Sequence, residues 1–249
     1  MTAELEKLVH DTIDATGSEA PALMNVNGPT LGDSALSDTG FYLVGLIGGK
    51  EVGKSALVNA IVGESITQTT SFGPGTETVI AYSHEAQLPA LKALLHREVP
   101  NQFRIVTHRI PALGRQVLLD LPDIDSHWVS HVELTRKMLR HMLFPLWVQS
   151  VEKYADRQPQ QLLATVAAGN SASNFLFCLN KADQLDRMTG GIATAADELR
   201  ADFAERIGKT LSVPAPRVWL LSAKNPGGYD LPELRQLLSQ QKSESDVGA

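Results

Sequence analysis

The chain reads as an α/β protein: a three-layer α/β/α arrangement, its mostly parallel central sheet carrying helices on both faces. Three observations predict this. Short apolar runs recur and end in polar loops, helix-period segments lie between them, and a glycine-rich turn joins the first run to a helix-like stretch. That turn is Gly48-Gly49-Lys50-Glu51-Val52-Gly53-Lys54-Ser55, placed after the apolar run Phe41 to Ile47 and before Ala56 to Val62.

In chain order, residues 1–40 open with an amphipathic helix, Ala3 to Ala15, whose Leu5, Leu8, Val9 and Ile13 share a face, and continue as a linker containing Gly, Ser, Pro and Thr. Residues 41–240 form the main domain. Its strands are Phe41 to Ile47, Val79 to Tyr82, Phe103 to Ile110, Gln116 to Leu119, His141 to Ser150, Asn174 to Leu179 and Val218 to Leu221. Leu88, Leu91, Leu94 and Leu95 recur at helical spacing, so an extra surface helix is expected within 85–100. Val132 to Leu139 is a further helix, Leu231 to Leu238 closes the domain, and 241–249 is a polar tail.

The glycine turn is a P-loop in its required setting. Glycines let the backbone N–H groups of Gly48, Gly49, Lys50, Glu51, Val52 and Gly53 curl inward, and the helix N-terminus through Ala56 adds a positive dipole end. In such a cradle Lys54 reaches the β- and γ-phosphates and the Ser55 hydroxyl is a Mg²⁺ ligand. Two later loops resemble base-reading elements: Asn180-Lys181-Ala182-Asp183 after one strand and Ser222-Ala223-Lys224 after another. Loops at the carboxyl ends of parallel strands meet along one sheet edge, which would bring both to the P-loop.

Asn-Lys-x-Asp and Ser-Ala-Lys, with the P-loop, are similar to the motifs of Ras-like and translation-factor-like GTPases, within the class that holds the Era-like and dynamin-like domains. The resemblance covers about residues 41–240 and implies a Ras-like G domain that binds GTP or GDP with Mg²⁺. It implies that Asp183 accepts from the guanine N1–H and amine, that Asn180 touches the base edge, that Lys181 covers the ring, and that the Ala223 N–H meets the guanine O6. Ser222 and Lys224 complete that loop. Adenine would leave the Asp183 carboxylate unpaired, which disfavours ATP.

The third motif departs from the family. Asp120-Leu121-Pro122-Asp123 places Asp120 where the family holds Mg²⁺ through water, but Asp123 stands in place of the glycine that meets the γ-phosphate. Asp123 can still bind the nucleotide by donating its backbone N–H, but a second carboxylate there would repel a triphosphate unless it faces away or helps to hold the metal. Ile124 follows where many relatives carry a water-orienting glutamine, so intrinsic hydrolysis is expected to be slow. Thr76 is the expected switch threonine and a third Mg²⁺ ligand with Ser55 and Asp120. The count from Lys54 matches Era-like GTPases there, and Thr78 is the alternative. Lys50 is a candidate internal positive group against developing γ-phosphate charge, which places it with Lys54 and Thr76 in the expected catalytic set. A Lys50→Ala variant that turned over GTP at the parental rate would eliminate that role.

Composition narrows the partners. The 249 residues are 43% hydrophobic with a net charge of −6, which disfavours a broad nucleic-acid surface. No apolar run reaches the roughly 20 residues that a bilayer span requires, and no signal peptide opens the chain, so a cytoplasmic protein is expected. The single cysteine, Cys178, reads as a core residue. His127 and His131 stand four apart but lack further ligands, and read as solvated switch residues rather than a metal pair. The expected activity is slow Mg²⁺-dependent hydrolysis of GTP to GDP and phosphate by a molecular switch with a protein partner or activator. A hydrolysis-deficient interaction module and the isolated GTPase domain of a dynamin-like membrane protein are the alternatives, and peripheral membrane contact and a nucleotide-dependent homodimer stay open.

Overall fold

The computed structural model of the chain describes residues 40–66, 78–125, 129–189 and 193–239. The expected helix Ala3 to Ala15, the linker, Thr76, His127 and the tail 241–249 lie outside the described residues. Within them, seven strands form one sheet: β1 Tyr42–Ile47, β2 Val79–His84, β3 Phe103–His108, β4 Gln116–Asp120, β5 Met142–Ser150, β6 Leu176–Asn180 and β7 Val218–Leu220. The order across the sheet is β3-β2-β4-β1-β5-β6-β7. β4, β1, β5, β6 and β7 run parallel, while β2 pairs antiparallel with β4 and carries β3 parallel to itself at the edge.

The central strands are continuous apolar runs because both of their faces are covered. Alternate residues of β1 go to opposite layers. Leu43 and Ile47 join the cluster under helices α2 (Leu88–Glu98), α3 (Val129–Leu139), α4 (Arg157–Ala167) and α6 (Ala193–Leu211). Tyr42, Val44 and Leu46 join the cluster under α1 (Lys54–Val62) and α7 (Leu231–Ser239). The short helix α5 (Asp183–Thr189) follows β6 directly. α7 is tied down where the Tyr42 hydroxyl donates to the Leu238 carbonyl at 2.6 Å.

The helix expected within 85–100 is α2, and it does more than lie on the surface. Leu91 and Leu95 are fully buried in the core, so α2 is the crossover of a β2-α2-β3 unit that widens the sheet by one strand. Glu98, at its C-terminal end, meets Arg97 at 2.9 Å, His141 at 3.3 Å and Arg140 at 3.4 Å, linking α2 to the turn after α3. Burial alone would raise the Glu98 carboxyl, but the Arg97 hydrogen bond and the charges of His141 and Arg140 hold it below its ordinary value. Burial lowers His141, with Glu98 opposing. Both folded-state values lie below the unfolded ones, so both groups stabilise the fold above those unfolded values and lose that contribution on acidification. The thermal midpoint should fall as pH drops below the ordinary histidine value and again through the carboxylate range. Glu98→Gln should flatten the second step by about 2–4 °C in melts at pH 7 and pH 4.

Candidate nucleotide site

β1 is the point where the sheet order reverses: β4 lies on one side of it and β5 on the other. Open α/β sheets bind ligands at such a point, beyond the carboxyl ends of the strands. The loops leaving β1, β4, β5, β6 and β7 gather at that edge.

The first loop is shaped by its glycines. A side chain at Gly48 would strike the Val148 carbonyl of β5, and one at Gly49 would strike the Asp125 carboxylate. Gly53 sits at φ +91° with its open side against the Asn180 amide. Gly53→Ala combines left-handed backbone strain with that collision. It should cost about 1–3 kcal/mol in urea denaturation and weaken nucleotide binding in parallel. Two non-glycine residues of the site loops share the left-handed region, Glu51 at φ 64° and Lys181 at φ 64°.

Lys54 is buried, and its ammonium donates to the Gly48 and Gly49 carbonyls at 3.0 Å each and to Asp123 Oδ1 at 2.6 Å. The Ser55 hydroxyl donates to Asp120 Oδ2 at 2.5 Å. Asp120 is fully buried, and its Oδ1 has no hydrogen-bond partner among the described residues. Burial pushes its carboxyl up, against the Lys54 charge and the Ser55 hydrogen bond. An orphaned buried carboxylate oxygen beside a hydroxyl is a hard-oxygen donor set that suits Mg²⁺.

Asn180 braces two loops: its amide nitrogen donates to the Val52 carbonyl at 2.9 Å, and its Oδ1 accepts from the Ala223 N–H at 3.3 Å. The Ala223 N–H expected to face a base is thus engaged by protein, and both polar ends of Asn180 bond backbone. Asp183 Oδ1 accepts from the Ser222 hydroxyl at 2.7 Å, and Ser222 in turn accepts from the Asn225 N–H. Lys181 donates to Glu152 at 2.9 Å, while Lys224 is exposed. The turn after β5 adds Lys153, whose ammonium donates to the Lys50 carbonyl at 3.2 Å and lies 3.7 Å from Glu51.

One sequence expectation changes here, that for His131, and two neighbouring residues gain contacts. Asp123 faces the cradle, its carboxylate bonded to the Lys54 ammonium. His131 is not solvated. It is buried at the start of α3, where its Nδ1 donates to the Asp123 carbonyl at 3.1 Å. Ile124 is a core residue, 1% exposed. Asp125 escaped sequence reasoning altogether, although it accepts from the Lys50 N–H at 2.8 Å. The signal was a third acidic residue in Asp120-x-x-Asp123-x-Asp125. Thr78 is exposed immediately before β2. Cys178 is fully buried and burial pushes its thiol up, which makes it inert.

The sheet order, the glycine turn and the convergence of Lys54, Ser55 and Asp120 define a P-loop α/β fold. Solved structures make the type specific: the chain has the P-loop GTPase fold of the Era-like and dynamin-like proteins. An Aquifex aeolicus Era mutant bound to GDP and aluminium fluoride matches with a TM-score of 0.54 and 17% identity over 81% of this chain and 57% of that one. Toc33 from Arabidopsis thaliana, in complex with GDP and Mg²⁺, matches with a TM-score of 0.53 and 15% identity over 96% of this chain and 91% of that one. A member of an oligomerised bacterial dynamin pair matches with a TM-score of 0.56 and 16% identity over 82% of this chain and 38% of that one. This chain thus spans little more than half of the Era chain and less of the dynamin. No protein-family model and no curated protein matches the chain.

Proposed function

We propose that the chain binds a guanine nucleotide with Mg²⁺ and hydrolyses GTP to GDP and phosphate slowly, as a nucleotide-dependent switch for a protein partner. The observation that carries this is the meeting of the phosphate cradle with the Asn180–Asp183 and Ser222–Lys224 loops at one sheet edge, linked by the Asn180 bridge from Val52 to Ala223. The N–H groups at the start of α1 would receive the α- and β-phosphates, and Lys54 would neutralise the β- and γ-phosphates. Asp183, held by Ser222, would read the guanine edge, while Lys181 would lie over the base. Ser55 and Asp120, joined by Thr76, would hold Mg²⁺, which when bound would supply positive charge to offset that of the phosphates. Lys50 would stand at the terminal-phosphate end of the loop as a further cation. Catalysis of this kind is positioning and charge neutralisation.

Ile124 supports the slow rate, since a buried isoleucine cannot orient an attacking water. No helix among the described residues is long and apolar enough to cross a membrane. The test is chromatographically resolved turnover of GTP with Mg²⁺ beside ATP, in the parental protein and in Lys54→Ala. GTP-specific turnover absent from the variant is expected, and turnover of both nucleotides alike would remove the base assignment.

A further inference from the structure

The two halves of the phosphate cradle differ in what already occupies them. The start of α1 carries the Gly53 and Lys54 N–H groups, which are the ones suited to α- and β-phosphates. At the other end, where the terminal phosphate of a triphosphate would lie, two carboxylates of the chain itself are seated. Asp123 takes the Lys54 ammonium at 2.6 Å and Asp125 takes the Lys50 N–H at 2.8 Å, its other oxygen packed over the Gly49 Cα.

The loop that carries them is anchored on several sides. The Leu121 N–H donates to the Leu46 carbonyl at 3.3 Å, the Ile124 N–H donates to the Gly48 carbonyl at 3.4 Å, and His131 holds the Asp123 carbonyl. Leu121 and Ile124 are both buried in the core beneath α3. Swinging the loop away therefore withdraws Ile124 from apolar contact, and leaving it in place puts two negative groups against a third. The glycine that would let such a loop reorganise is the position that Asp123 occupies.

We propose that Asp123 and Asp125 are specificity-determining residues that make this site selective for a nucleoside diphosphate over the triphosphate. The proposal rests on the guanine-nucleotide reading above. A diphosphate uses the helix-terminal half of the cradle and meets Asp123 only through the shared Lys54 ammonium, whereas a triphosphate puts a further charged group where both carboxylates sit and must displace them or meet their charge. Asparagine at both positions keeps an oxygen for Lys54 and for the Lys50 N–H while removing the charge.

Calorimetric titration of the full chain with GDP and with a non-hydrolysable GTP analogue, both with Mg²⁺, reads the ratio of the two affinities. The parental protein should favour GDP by about tenfold or more, and Asp123→Asn/Asp125→Asn should bring the ratio to within about threefold of unity. Asp123→Gly, which restores the family residue, should move it the same way. A parental ratio near unity overturns the proposal without any variant, as does a strong GDP preference that survives in the double variant. Absence of guanine-nucleotide binding in every protein removes the functional reading and this inference with it, whereas retained binding without preference removes the inference alone.

Discussion

Lys54→Ala should lower the stability of the fold by about 3–5 kcal/mol and abolish guanine-nucleotide binding. The stability loss comes from the partner left behind. Asp123 is buried with its carboxylate on the Lys54 ammonium, and removing the lysine takes away that carboxylate's cation in a low-dielectric site. The Gly48 and Gly49 carbonyls lose their common donor at the same time. The two losses can be separated. Lys54→Met combined with Asp123→Asn removes both charges, so it should recover much of the urea midpoint while nucleotide binding stays absent. A single Lys54→Ala variant as stable as the parent would show that the pair contributes nothing to folding.

The second large effect falls on base choice. Asp183→Ala should reduce the preference for GTP over ATP by roughly 100-fold or more, through weaker binding of GTP rather than stronger binding of ATP. Discrimination of this kind depends on a polar group that one base satisfies and the other leaves unpaired. Asp183 is held ready by the Ser222 hydroxyl, which is itself fully buried and fixed by Asn225. Ser222→Ala should therefore weaken the same preference by only a few-fold, because the carboxylate remains but loses its orienting bond. Competition binding with a fluorescent guanine nucleotide measures both variants. Equal loss in the two would mean that orientation, not the carboxylate itself, decides the base.

Part of this architecture was open to reading from the chain alone because the signals are local. Glycines that permit the Gly48–Ser55 turn, apolar runs doubly covered in a parallel sheet, and the leucine spacing of α2 all act over a few residues. Sequence boundaries for β1, β4, β6 and α7 came within one or two residues of those in the structure, since each ends where apolar character stops. The pairing of β3 with β2, and hence the widened edge, was not local. It depends on which face of α2 finds the core, and that is settled by the layers it meets rather than by its own spacing.

The glycine-rich turn, the Asn180–Asp183 and Ser222–Lys224 loops and the α/β class are written in the chain itself, because each needs particular residue types at short range. What Asp123, Asp125, Ile124 and His131 touch is set by the folded chain. The chain shows two carboxylates, an isoleucine and a histidine in or near one loop, and their roles depend on groups far away: Lys54 and Lys50 on the first loop, and the core under α3. Charge pairing and burial act through space, across about 70 positions of chain here, and no spacing rule within the loop encodes them.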